Sequence, residues 1–299
     1  MSLSPAHPAP GRTLLWADLA VLGVAVVWGA SYPVAKGALT HAPVLLLIFY
    51  RFAITASVMS LIAGRGLAAA SRRDLAAGMI LGAILTAIFL AETWGVALTS
   101  ATNTALIISL CTVLTPFLDF GLRRRLPPGG VILGAAVAIL GVGTLAGGVT
   151  ALGTGDLLVL AAAGLRAVMV VSTKRLMEGS ALSSAALTAV QSGTVMLLVL
   201  ALLPVQGGPS ALIVHAGPGF WGAVTFLSLF CTIGAFYVQN AAVRRSSPTR
   251  VSFLMGTEPL FGFALSWAIL SEAATGATLI GAALIVGGTF IGLIFERRG

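Results

Sequence analysis

The chain alternates between long apolar stretches and short polar ones. A membrane-spanning helix needs roughly 20 mostly apolar residues, because about 30 Å of hydrocarbon is crossed at 1.5 Å per residue. Strands of a transmembrane barrel would alternate apolar and polar residues, and these stretches do not. The pattern therefore predicts an all-α integral membrane protein with ten transmembrane helices, at approximately 14–38, 43–63, 75–98, 102–122, 129–147, 157–173, 183–204, 219–243, 251–271 and 276–295.

The composition agrees with a membrane protein. Of 299 residues, 58% are hydrophobic and 9% are charged, whereas soluble domains carry about 25% charged residues. The first apolar stretch is too long for a cleavable signal peptide, and no small-residue cleavage site follows it. Cys111 and Cys231 lie within predicted helices without a nearby Cys or His. We therefore expect two buried thiols, with neither a disulfide nor a metal site.

The positions of the charges predict the orientation. A net charge of +8 would suit nucleic-acid binding, but the distribution of the charges excludes that function. When the loops are assigned alternately to two sides, 14 of the 17 Lys and Arg residues lie on the side of both termini. Lys36 alone lies opposite, and Arg51 and Arg166 lie within helices. Because short cytoplasmic loops are rich in Lys and Arg, we expect a multi-pass protein of a bacterial-type inner membrane with both termini cytoplasmic.

The second half of the chain repeats the first. Asp18 and Lys36 recur as Asp156 and Lys174 at an offset of 138 residues. Since each copy has five helices, an odd number, the second copy must be inserted upside down. Inverted repeats with a substrate site at their interface are typical of secondary transporters. The predicted organisation is a tail at 1–13, a first repeat at 14–150, an inverted repeat at 151–295 and a tail at 296–299.

Several short motifs support a resemblance to a known family. They are Val27-Trp28-Gly29-Ala30-Ser31-Tyr32-Pro33-Val34-Ala35-Lys36, Tyr50-Arg51-Phe52, Gly155-Asp156-Leu157, Glu258-Pro259-Leu260 and Leu270-Ser271-Glu272. With these motifs the chain resembles the EamA type of the drug/metabolite transporter superfamily, and within it the YddG-type exporters of aromatic and other amino acids. The resemblance implies ten helices, cytoplasmic termini and efflux of small amphipathic metabolites by alternating access. The chain departs from the family pattern at Arg123-Arg124-Arg125-Leu126-Pro127 and at Arg166.

Ionisable residues inside the predicted helices are the first candidates for a substrate site. Such groups are costly in a bilayer and mark a pathway, an ion pair or a switch. Arg51, Arg166 and Glu258 fall closest to the midplane, and Glu92 lies nearer the outer end of its helix. An arginine could bind a substrate carboxylate bidentately while a glutamate binds an amine or a proton. The alternative is a permanent pair between an arginine and Glu258 or Glu92 that joins helices, and for Arg51 we favour a structural role.

Aromatic and amide side chains complete the predicted cavity. Trp28 and Tyr32 share one helix face, and such side chains offer apolar surfaces with a polar tip. The predicted cavity residues are Trp28, Tyr32, Glu92, Trp94, Arg166, Gln191, Tyr237, Asn240 and Glu258, and the predicted hinges are Pro33, Pro116 and Pro259. Proline frees a backbone carbonyl and bends a helix. Gly130 with Gly134 and Gly288 with Gly292 permit close helix approach or a dimer contact.

Other functions fit the sequence less well. The string Gly153-Thr154-Gly155-Asp156 matches aspartyl intramembrane proteases, but that chemistry needs a second carboxylate at the same depth. No phosphate-binding loop of an ATPase is present in the sequence, and a channel would show a continuous polar stripe. We expect a transporter that is not an enzyme, without cofactor or metal, whose partners are a small-molecule substrate and the lipid bilayer. A channel or a facilitative exchanger for other metabolites or drugs is the alternative, and the coupling ion and oligomeric state stay open.

Overall fold

The computed structural model describes residues 10–122, 124–145, 152–206, 216–235, 238 and 255–296. Within these residues the chain forms ten helices and no strand, as the sequence predicts. They are α1 Pro10–Ala38, α2 Val44–Ala68, α3 Arg72–Leu98, α4 in two parts (Ala101–Ile108 and Cys111–Leu122), α5 Gly129–Leu145, α6 Thr154–Leu176, α7 Ser184–Leu202, α8 Pro218–Ser228, α9 Glu258–Leu270 and α10 Gly276–Glu296. Six of them, α1, α2, α3, α4, α6 and α7, are long and apolar enough to cross a membrane, and the other four are shorter apolar helices.

Serine residues mark where several helices begin. The hydroxyls of Ser71, Ser100 and Ser183 accept hydrogen bonds from backbone N–H groups in the first turns of α3, α4 and α7, at 3.1, 2.9 and 3.2 Å. Such caps satisfy donors that have no partner within the helix. Near the carboxyl end of α2, Gly64 has φ 46° and interrupts the helix. The second predicted apolar stretch, 43–63, ends directly before this residue.

Helix α4 is broken, although the sequence predicts a continuous helix at 102–122. Between its two parts the backbone changes to bonds three residues apart, with Thr112 N–H donating to Ser109 O at 3.1 Å and Val113 N–H to Leu110 O at 3.0 Å. The Ser109 hydroxyl donates to Leu106 O, and the Thr112 hydroxyl donates to Ser109 O, both at 2.7 Å. Hydroxyl side chains compete in this way with the regular helix ladder.

Helices α8 and α9 also differ from the continuous helices predicted at 219–243 and 251–271. A π turn, Leu229–Gly234, continues α8, and the remainder of the predicted eighth helix lies largely outside the described residues. Pro259 occupies the first turn of α9, where proline lacks no helical bond. Pro33 and Pro116 lie inside α1 and α4. Pro259 instead begins α9 without interrupting it, and the hinge expected at this residue stays a prediction.

The helices pack in reciprocal pairs. Helix α5 packs on its repeat counterpart α10, and α2 packs on its counterpart α7. The contact of α1 with α9 has a repeat-related counterpart in the contact of α6 with α4. The contact of α3 with α6 has its counterpart in the contact of α8 with α1. The contacts are thus exchanged between the two halves of the chain, so that α1 lies against α9 and α3 lies against α6.

Glycine sets the distance between α5 and α10. A Cβ atom on Gly134 would lie 2.5 Å from both Gly288 O and Gly292 N, and a Cβ on Gly288 would lie 2.5 Å from Gly134 O. No side chain fits at such distances, so the two backbones are in direct contact. The small-residue spacings thus allow close approach within the chain, as in other membrane helix pairs.

Candidate functional site

An ion pair joins α3 to α6. Arg166 Nη2 donates to Glu92 Oε2 at 2.6 Å, and the Glu92 side chain is only 9% exposed. The two helices can lie close because Gly155 has no side chain. A Cβ at this position would be 2.7 Å from the backbone of Leu98. Two roles are open for Arg166, binding of a substrate carboxylate and an ion pair that joins helices. The structure contains the ion pair.

A second carboxylate is held by α1. The Tyr32 hydroxyl donates to Glu258 Oε1 at 2.6 Å, across the contact between α1 and α9. Glycine again permits the approach, since a Cβ on Gly29 would lie 2.7 Å from Gly262 N. Arg166 lies within electrostatic range of Tyr32 and Glu258 as well as of Glu92. Arg166, Glu92, Tyr32 and Glu258 therefore form one polar cluster, called here the central cluster.

Arg51 lies beside the central cluster with different partners. Its Nε and Nη2 donate to Thr232 Oγ1 at 3.2 and 3.1 Å, and its guanidinium carbon lies 4.6 Å from the centroid of the Phe89 ring. That separation suits a cation–π interaction. Within the described part of the chain, no carboxylate oxygen pairs with Arg51.

A small enclosed cavity borders these groups. Its volume is about 10 Å³, which is room for about one water molecule. Its lining combines a polar side with an apolar side and comprises Ser31, Tyr32, Ala35, Leu47, Ile48, Arg51, Phe89, Glu92, Thr93, Val96 and Leu227. Helices of both repeats thus enclose a space that has charged groups on one wall.

The other predicted cavity residues do not line this cavity or are not among the described residues. Trp28 Nε1 donates to Cys231 O at 2.7 Å, a contact between α1 and α8. Trp94 packs against an apolar cluster of α2, α7 and α8, and Gln191 is half-buried in α7. Neither these three nor Arg166 and Glu258 line the small cavity. Tyr237 and Asn240 are not among the described residues.

Sequence reasoning missed two residues beside the cavity. Phe89 precedes Glu92 by three residues and shares its helix face, a spacing that could have indicated it. Thr232 lies in the π turn of α8, where its hydroxyl donates to Leu227 O at 2.9 Å. Because π turns follow no simple sequence pattern and are frequent at functional sites, no spacing would have placed Thr232 opposite Arg51.

One end of the bundle is tied together by polar groups; we call it the Lys36 end. Lys36 Nζ donates to Val96 O at 2.8 Å and also contacts Thr99 O, both at the carboxyl end of α3. Asp156, in the first turn of α6, accepts from the Thr99 hydroxyl at 2.6 Å and from Asn103 Nδ2 at 3.1 Å. A cation at a helix carboxyl end and an anion at a helix amino end both suit the helix dipole.

Glu272 extends this network from the α9–α10 link. Its two carboxylate oxygens accept the N–H groups of Ala101 and Thr102 at 2.8 and 2.9 Å, at the start of α4. Ser271 just before it has φ 54°, an uncommon conformation for a residue other than glycine. The turn at Ser271 directs Glu272 toward α4, so helices of both repeats are joined at the Lys36 end.

Replacing Lys36 by Met should loosen the Lys36 end. Hydrogen bonds to a charged group contribute about 1.5–3 kcal/mol, so opening should become at least about tenfold more frequent. In a background that carries Ser31→Cys and has both native cysteines replaced by Ser, an impermeant maleimide added from the Lys36 end should label about tenfold faster. Lys174→Met, at the repeat-related position, is the control and should not raise the rate. Equal labelling rates with and without the Lys36→Met substitution would contradict the role of this network.

Known proteins share the sequence pattern and the fold of this chain. The model of the EamA-like transporter family matches residues 15–146 and again residues 153–294. No curated protein matches the sequence. Sixteen chains of solved structures match, among them a protein crystal structure with 20% sequence identity and a TM-score of 0.66, which covers 94% of this chain and 98% of the other. That likeness concerns the fold alone. With both halves matched, this multi-pass membrane protein belongs to the EamA-like transporter family.

Proposed function

We propose that the chain is a secondary transporter that exports small amphipathic metabolites, foremost aromatic and other neutral amino acids. The observation that carries this proposal is the enclosed cavity formed by helices of the first repeat and Leu227 of the second, which is lined by Arg51 and by Glu92, the ion-pair partner of Arg166. Charged groups are costly inside a bilayer, and here they converge on one space. Amino acids carry both charges and an apolar side chain, which suits such a lining.

Transport would proceed by alternating access. The cavity of about 10 Å³ is far smaller than an amino acid, so the surrounding helices must move before a substrate enters. The network of Lys36, Asp156 and Glu272 closes one end. A space closed in this way favours a carrier over an open channel. We propose that the break in α4, the prolines Pro33 and Pro116, and the start of α9 at Pro259 are where the helices bend.

The charge distribution supports an orientation. We propose that the Lys36 end faces outward and that both termini are cytoplasmic in a bacterial-type inner membrane, because the other side carries most of the Lys and Arg residues. The network at the Lys36 end is then the outer gate. Substrate would enter from the cytoplasm and leave when this gate opens.

Different cavity residues have different proposed roles. Tyr32 and Glu258 would bind the substrate amine or exchange a proton, and Glu92 with Arg166 would set the charge of the cavity. When the helices move apart, the lining would be extended by Trp28, Trp94 and Gln191, with Tyr237 and Asn240 of the predicted eighth helix. Aromatic faces suit both apolar side chains and an ammonium group.

Counterflow of labelled amino acids tests this function. Purified protein in proteoliposomes preloaded with unlabelled phenylalanine should accumulate labelled phenylalanine transiently, without an imposed gradient. Saturable exchange that tryptophan, leucine and methionine inhibit would establish an amino-acid carrier. If folded protein exchanged no amino acid, the substrate assignment would be wrong, and nucleosides and cationic drugs would be tested in the same vesicles.

Replacing Glu258 by Gln should separate exchange from proton coupling. The glutamine side chain keeps an oxygen that accepts the hydrogen bond from the Tyr32 hydroxyl, but it takes up no proton in the pH range of transport. Counterflow should become weaker but stay measurable, because the neutral amide oxygen can still accept from the substrate ammonium group and loses only the charge assistance of that bond. Accumulation driven by a pH gradient should be lost. Glu178→Gln, at an exposed position, is the matched control, and proton-driven accumulation that survived in Glu258→Gln would exclude this residue as the proton carrier.

A further inference from the structure

The two arginines inside the helix bundle are both half-buried, but their charges are compensated differently. Arg166 forms an ion pair with Glu92 at 2.6 Å and lies near Glu258. Arg51 lines the cavity, yet its hydrogen bonds go to the neutral hydroxyl of Thr232. Glu92 lies within electrostatic range of Arg51 but bonds to Arg166, so no carboxylate of the described residues bonds to Arg51. A half-buried cation without a bonded counter-charge is unfavourable unless something else compensates it. Only Arg51 therefore has capacity for an additional anion among the arginines of the described core.

Thr232 holds Arg51 in a fixed orientation. Its hydroxyl hydrogen is donated to Leu227 O at 2.9 Å, so its oxygen presents lone pairs to the guanidinium. The π turn that contains Thr232 creates this arrangement, because Leu227 precedes Thr232 by five residues rather than four. The Phe89 ring, 4.6 Å from the guanidinium carbon, supports the other side. The planar group is thus positioned before any ligand arrives.

Arg51 still has donors to offer. A guanidinium carries five N–H groups, and two of them bond to Thr232. The cavity that Arg51 lines also contains Ser31, Thr93 and Glu92, and Glu92 is engaged by Arg166. A carboxylate matches the remaining N–H groups, since it accepts two parallel hydrogen bonds from one guanidinium.

We propose that Arg51 is the carboxylate-binding residue of the substrate site and that this transporter requires a carboxylate on its substrate. The proposal rests on the proposed transport function and names its substrate class as zwitterionic amino acids. The carboxylate binds Arg51, the ammonium group points to Glu258 beside Tyr32, and the side chain lies against Phe89 and Leu227. Arg166 remains with Glu92 and does not bind the substrate carboxylate.

Competition in the counterflow assay tests the proposal. Exchange of labelled L-phenylalanine should be inhibited by unlabelled L-phenylalanine, whereas L-phenylalaninamide, which lacks the carboxylate, should need about 10- to 100-fold higher concentration. Arg51→Lys keeps the charge but loses the fork, so this ratio should fall by about tenfold. Arg51→Lys must exchange at a measurable rate for this comparison, and Thr232→Val provides a second route if it does not.

Thr232→Val removes the oxygen that orients Arg51 and should also lower the ratio, by about threefold to tenfold. Thr194→Val is the matched control, because the Thr194 hydroxyl bonds Val190 O in its own helix and lies away from the cavity; it should leave the ratio unchanged. A general loss of folding would lower exchange of both ligands without changing their ratio. Equal inhibition by phenylalanine and its amide in the unmodified protein would overturn the assignment and leave the transporter standing. Absence of exchange with amino acids, amides, nucleosides and cationic drugs alike would overturn both.

Discussion

Replacing Glu92 by Gln is expected to abolish transport and to destabilise the folded protein by about 3 kcal/mol. The change leaves Arg166, whose side chain is 28% exposed, charged and without its closest partner, and breaking one side of a fully buried pair costs about 3–5 kcal/mol. The lower value applies here because Glu258 remains within electrostatic range of Arg166. Thermal unfolding of the purified protein in detergent, together with counterflow, measures both effects.

The double variant Glu92→Gln with Arg166→Gln should recover most of the lost stability. Removing both charges avoids an uncompensated ion, and two amides can bond to each other. The four proteins of this double-mutant cycle should give a coupling of about 2 kcal/mol between the two residues. Glu178→Gln serves as the control, because this carboxylate is exposed. Unchanged stability of Glu92→Gln would contradict a structural role for the ion pair.

Replacing Gly288 by Val is expected to prevent α5 and α10 from packing. Its new Cβ would lie 2.5 Å from Gly134 O and 2.6 Å from Ala138 N. These are backbone atoms, which cannot rotate away as a side chain can. Overpacking typically costs about 1–3 kcal/mol, and we expect the upper end. The yield of monodisperse protein and its unfolding temperature should both fall.

Gly287→Val is the matched control for this variant. Gly287 is adjacent to Gly288 in the same helix, and a Cβ built on it meets nothing within 4 Å. The two substitutions have the same intrinsic helix propensity, so only the contact with α5 differs between them. If both variants were equally stable, the direct backbone contact of α5 with α10 would be wrong.

The number and order of the helices were predictable because hydrocarbon thickness imposes a minimum length on each apolar stretch. The ten predicted stretches are confirmed as ten helices in the part of the chain described here. The resemblance to the EamA type is confirmed by the match to both halves, whereas the narrower resemblance to YddG-type exporters stays a prediction. These features depend on composition over many residues, which a single unusual contact does not change.

Local irregularities and partner choice could not be predicted. The break in α4 depends on the hydroxyls of Ser109 and Thr112, which turn to their own backbone. The sequence gives the depth of Arg51, Arg166 and Glu92 but not their rotation about each helix axis. It therefore left open which arginine pairs with Glu92, and it favoured a structural role for Arg51, which lines the cavity. Position around a helix is decided by packing, here through glycine contacts such as Gly155 with Leu98.

The composition of the core has an electrical consequence. Arg51 and Arg166 balance Glu92 and Glu258 when both carboxylates are ionised, so the four groups sum to zero. Moving one unbalanced charge through a membrane potential takes about 2.3 kcal/mol per 100 mV, whereas a balanced set moves without electrical work. A zwitterion adds nothing to that sum, and the loaded and unloaded protein would then cycle at rates independent of voltage. A proton on Glu258 would make the core positive, so any voltage dependence of transport would report the proton rather than the substrate.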